Sequence, residues 1–199
     1  MMDKESKNYL IWYNPLLNEC RLHFSKSSKN IISHDVSHCL RMWKNAEILG
    51  RESNADMDVL IASVFLHDIG VLYTDKVRHG KSSAEIAEGT LFKIGFPKEK
   101  VEKVKEAISM HDFHGPAKRS IEAKILYDCD KLDSFGAIGV FRYLDIFIKR
   151  GWGIKKIADY VTKDLDDRFN HLHTERAKNL AKPSYLYTKR YFERLGEEL

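Results

Sequence analysis

Three histidines of this chain stand directly before an aspartate: His34-Asp35, His67-Asp68 and His111-Asp112. Imidazole nitrogens and carboxylate oxygens both ligate metals and both move protons, so each pair has the chemistry for either task. Adjacency does not separate the three; context does. His67-Asp68 ends VLIASVFLHDIG, a run otherwise apolar on every side of a helix, which marks a buried element. A carboxylate buried there without a partner is costly or is forced to protonate. A bound cation satisfies both groups. An ordinary hydrogen-bonded His–Asp pair of the core does so too, and the dipeptide alone leaves both readings open.

Other candidates gain meaning from their helices. His38 borders the apolar stripe Val36, Cys39, Leu40, Trp43, Ala46, Leu49, one turn before Arg41. Asp130 follows Leu126 by four, beside the buried stripe of its own helix, with Asp128 and Asp133 close by. Three acids so near one another call for a cation or for solvent, and the flanking Ile125, Leu126, Leu132 and Phe135 argue against solvent. His111 continues the stripe Val101, Val104, Ile108 and so faces the core. Two imidazoles with two carboxylates suit Mn, Fe, Co, Ni or Zn better than Ca or Mg, which prefer all-oxygen shells.

The elements that must carry these groups read as helices throughout. Residues 1–30 form a leader packed on the surface, with a short helix over 10–17 interrupted at Asn14-Pro15. Helices are predicted from 33 to Gly50, which serves as a left-handed cap, with Asp35 serving the first amides. Others follow over 56–69, ended by Gly70, over 82–95, and over 98–111. Further helices run from Ser120 through 133, over 135–148, over 155–171 and over 174–195, with Pro183 starting or kinking part of the last. The sum is seven or eight helices in one domain, 31–199, with 155–199 as C-terminal helices that could form a flap. There is no internal repeat and no alternating strand run.

Composition agrees. The chain has 199 residues, enough to bury roughly 70% of its unfolded surface in one core. Eleven Gly and four Pro are well below the usual combined level of about 12%, leaving few turn-makers for a sandwich or barrel. Three cysteines without a C-x-x-C pair argue against a disulfide framework and a thiolate zinc site. The net charge of +4, with acids interspersed, is too small to mark a nucleic-acid binder. No apolar run is long enough for a membrane span, and MMDKESKNYL lacks signal-peptide order, so a cytoplasmic protein is expected.

The ordered set His38-x-x-Arg41, LHDIG with His67-Asp68, and DCDKLD over 128–133 resembles the HD-domain superfamily of metal-dependent phosphohydrolases. The stretch SIEAKILYDCDKLDSFGAIGVFR, His79 ahead of SSAEIAE, and HTERAKNLA look like its small single-domain bacterial and archaeal members, so the likeness runs from about residue 30 to 195. The resemblance implies an all-α, single-domain helical bundle in which His38, His67, Asp68 and Asp130 ligate one divalent transition metal. Asp128 and Asp133 would stand behind them. In members with two metals the matching positions here are His79 and His111, with Asp68 bridging; His114 is the weaker substitute for His111. One ion is expected rather than two. Asp112 and the VLY insertion before Asp75 depart from the family pattern and leave the general base unassigned.

The implied reaction is hydrolysis of a phosphoester or phosphoanhydride bond of a small substrate, a nucleotide, by metal-activated water, with Asp68 orienting that water. Arg41, Lys131 and Arg142 are the cations placed to meet phosphate, though a salt bridge to Asp128 or Asp133 would use the same residues. Lys76, Arg78 and Lys81 flank the loop before the third helix and suit an anion. If two ions bind, phosphodiester or dinucleoside polyphosphate cleavage becomes the better reading. A non-catalytic nucleotide sensor or RNA-associated protein is the alternative of another class. His23, His34, His171 and His173 are read as ordinary.

Overall fold

A computed structural model of the chain describes residues 4–26, 35–74, 79–111 and 119–199, with side chains from residue 8. Among the described residues every regular element is helical. A 3-10 helix, Lys4–Trp12, leads into α1 (Tyr13–Ser25), α2 (Val36–Glu52) and α3 (Met57–Leu66). A 3-10 helix, Ile69–Leu72, is followed by α4 (His79–Lys93), α5 (Lys98–Met110) and α6 (Ile121–Leu132). The chain ends with α7 (Gly136–Lys149), α8 (Ile154–Asn170) and α9 (Glu175–Glu197). It divides into two compact units, one running to Leu126 and the other from Tyr127 to Leu199.

In the first unit α3 is the central rod. Every residue from Val59 to Leu66 is buried, as its all-round apolar sequence predicts, and α1, α2 and α5 pack on it. The leader is part of this core, not a surface strip: Leu16 and Cys20 are wholly buried, and the Tyr13 ring stands edge-on to Phe65 at 5.5 Å. Its helix runs past the expected stop because Pro15 occupies the first turn, where an amide N–H has no intrahelical partner to lose. All three cysteines are free and buried.

Gly50 does not cap α2, which continues to Glu52; the left-handed position is Asn54, with φ of 52°. Gly50 is there for close approach, since a Cβ would lie 2.5 Å from Leu60 Cδ2 and 2.8 Å from Met57 Sδ. Gly50→Ala gains about 1 kcal/mol of helix propensity. Overpacking costs about 1–3 kcal/mol. A net loss of about 1 kcal/mol is therefore expected, read as a lower urea midpoint at unchanged slope.

The second unit has its own core, in which Tyr143 and Phe147 of α7 meet Val161 and Leu165 of α8 and Phe192 of α9. The C-terminal helices α8 and α9 thus supply much of this unit's core. Pro183 lies inside an unbroken α9 and does not start it. No helix among the described residues is long and apolar enough to cross a membrane.

Candidate metal centre

Four elements of the first unit converge on one carboxylate. Asp35 opens α2, its Oδ1 accepting from the His38 N–H at 2.8 Å, which sets the turn that carries His38. His67 closes α3, and Asp68 leads into the 3-10 helix Ile69–Leu72. His79 is the first residue of α4, and His111 closes α5. Asp68 is 2% exposed and none of the four histidines exceeds 6%, so the cluster belongs to the interior.

Asp68 turns one oxygen to each pair of rings. Its Oδ2 lies 3.1 Å from His67 Nε2 and 3.6 Å from His38 Nε2. Its Oδ1 lies 3.3 Å from His79 Nε2 and 3.7 Å from His111 Nε2, and those two nitrogens are 3.0 Å apart. Backbone carbonyls only accept, so the contacts His67 Nδ1 to Val64 O, 3.0 Å, and His111 Nδ1 to Ile108 O, 2.6 Å, place a proton on each Nδ1. In the neutral ring the Nε2 lone pair is then turned toward the Asp68 side, the way ligating histidines are usually oriented. The ligand atoms of His38, His67 and Asp68 lie within 4.8 Å of one another, as do those of Asp68, His79 and His111. The residues thus fit a metal, and the carboxylate is shared by two triplets.

The other expected residues are differently occupied. Asp130, on α6 in the second unit, is half-buried and accepts from Lys131 Nζ at 2.7 Å; that ammonium also stands 4.7 Å over the Tyr127 ring. Asp128 is spent on structure: its carboxylate accepts from His173 N, Thr174 N and Thr174 Oγ1 at 2.7–2.9 Å and so holds the start of α9. Burial pushes its carboxyl up to about 6 despite those donors. Arg142 makes a buried ion pair with Asp133, 2.7 Å, the salt bridge that the sequence sets beside a place at the substrate. Arg41 is half-buried on α2, and Lys81 is exposed on the first turn of α4. His23 meets Tyr73 and Thr90, and His171 meets Asp167. His34, Asp75, Lys76, Arg78, Asp112 and His114 lie outside the described residues. The sequence reading missed Ser83, whose Oγ accepts from Gly70 N beside the cluster; its place in a small-residue face of α4 was the available signal.

The sequence profile of the HD domain matches residues 35–134. Bacillus subtilis YpgQ, a protein described as uncharacterized, is 27% identical over 177 residues, covering 83% of this chain and 84% of its own. The crystal structure of a predicted HD superfamily hydrolase from an uncultured Thermotogales bacterium aligns with a TM-score of 0.68 at 27% identity, over 94% of this chain and 92% of that one. The crystal structure of YpgQ in complex with ADP has a TM-score of 0.78 at 20% identity, over 96% of both chains. With half its length matched by that profile, from the aspartate that opens α2 to just beyond α6, this chain belongs to the HD domain family.

Proposed function

We propose that this HD domain is a metal-dependent phosphohydrolase that cleaves a phosphoester or phosphoanhydride bond of a small substrate, a nucleotide, with water as the nucleophile. The observation that carries this reading is the buried Asp68 carboxylate facing four imidazole nitrogens at 3.1–3.7 Å. Such a nitrogen-rich donor set suits Mn, Fe, Co, Ni or Zn. When bound, an ion of this kind lowers the pKa of water from 15.7 toward about 7 and polarises a phosphoryl oxygen.

His38, His67 and Asp68 are the ligands in this reading, with Asp130 added on the order of the sequence motifs alone. Asp68 Oδ1, on the side of His79, would orient the attacking water and take its proton. His79, 3.3 Å from that oxygen and 3.0 Å from His111, can pass the proton on. Arg41, one turn after His38, is the cation assigned to the substrate phosphate. ADP bound to YpgQ supports a nucleotide as the substrate class.

Purified protein with Mn²⁺, Co²⁺ or Ni²⁺ is expected to release phosphate or pyrophosphate from at least one member of a panel of nucleoside mono-, di- and triphosphates. Silence across the panel and all three metals sinks the hydrolase reading, and binding without turnover points to a nucleotide sensor. A second reading has an observation of its own: Asp68 is shared by two ligand triplets, the arrangement a two-ion centre needs. Elemental analysis after metal loading decides it, two ions per chain supporting the dinuclear scheme and one removing it.

A further inference from the structure

The turn that carries Asp68 is fastened to α4 by residues outside the ligand set. Two positions beyond Asp68, the Gly70 N–H donates to Ser83 Oγ at 2.9 Å in the interior. Ser83 is wholly buried and is the i+4 neighbour of His79, on the same face of α4. The backbones themselves meet here: a Cβ on residue 70 would fall 2.6 Å from His79 O and 2.6 Å from Ser83 N, closer than real side chains come. Gly70 is therefore closed down on the first hydrogen-bonded turn of α4, whose leading residue, His79, reaches Asp68 Oδ1 at 3.3 Å. A buried N–H needs an acceptor, and the Ser83 hydroxyl supplies it. The first triplet is built differently, since His38 and His67 approach Asp68 Oδ2 from α2 and from the end of α3, without α4.

We infer that the Gly70–Ser83 clasp governs occupancy of the second ion position, Asp68–His79–His111, independently of the first, with Ser83 a positioning residue that acts through His79. The inference rests on the second, two-ion reading of the Asp68 site and is independent of the substrate. It places control of the ion count, and so of the chemistry the two-ion centre adds, on a hydroxyl outside the two ligand triplets.

The test is Mn²⁺ titration of the metal-free full chain by calorimetry, with Co²⁺ absorption to report each ion's ligand field. Wild type is expected to take two ions. Ser83→Ala should keep the first at wild-type affinity and bind the second about 10–100-fold more weakly, the usual cost of losing a group that orients a ligand. Its Co²⁺ spectrum should lose one component and keep the other. Ser83→Cys, whose thiol is a weak acceptor of the same shape, should fall between the two and serves if the alanine variant does not fold. Equal weakening of both ions, or of neither, overturns the inference. Wild type taking one ion overturns the clasp alone; wild type taking none overturns the metal reading beneath it.

Discussion

Asp68→Ala is expected to abolish metal binding and turnover together, with kcat/KM falling about 10³-fold or more, because it removes the one group common to both ligand triplets and with it the ion that acidifies water. Stability should respond in the opposite sense to that of an ordinary core truncation. Without metal, the wild-type carboxylate is a charge only 2% exposed, and its removal relieves the cost of burying it. The metal-free variant should therefore melt no lower than metal-free wild type. Metal at 100 times its Kd adds about 2.7 kcal/mol to wild type. For a chain of this size that is a rise of about 5–10 °C. The variant should show no rise. If Asp68→Ala instead melts well below wild type in chelator and still gains stability from metal, Asp68 is a structural hydrogen-bonding hub and the ligand reading fails.

Much of this arrangement was legible because periodicity reports which way a side chain points. His111 prolongs the stripe Val101, Val104, Ile108, and the structure buries it beside Asp68 as that stripe requires. The all-round apolar α3 gave away the central rod, and a His–Asp pair at the end of such a rod cannot be solvated. What local pattern does not encode is which neighbour another helix supplies. Gly50 and Gly70 both look like helix terminators, yet each marks a close approach, to Leu60 and to the first turn of α4. Pro15 looks like a breaker until it is known to lie in a first turn. The acids of DCDKLD read as one cluster in the sequence, whereas Asp128 serves the start of α9, Asp130 meets Lys131, and Asp133 holds Arg142. Their partners lie from one to 46 positions away, and a helical repeat carries no information on such pairings.

Arg142→Ala separates the two roles open to that residue, and a large loss of stability is the expected outcome. Arg142 Nη1 and Asp133 Oδ2 are 2.7 Å apart with side chains 8% and 6% exposed. Asp133 directly follows the last residue of α6, where the helix dipole already disfavours a negative charge. Truncating the arginine leaves that carboxylate buried, a change that costs about 3–5 kcal/mol. A typical domain has about 5–15 kcal/mol in all. The urea midpoint should fall accordingly. Removing both charges is a different matter, because a buried pair replaced by apolar groups of similar volume is often neutral or stabilising. Arg142→Met with Asp133→Leu should recover most of the lost stability, and a strong positive coupling in that double-mutant cycle is the signature of the pair. With stability restored, the double variant should keep the KM of wild type for whichever nucleotide is hydrolysed. A KM that rises in both variants, with no stability lost in Arg142→Ala, would return Arg142 to the substrate and leave Asp133 needing another explanation for its burial.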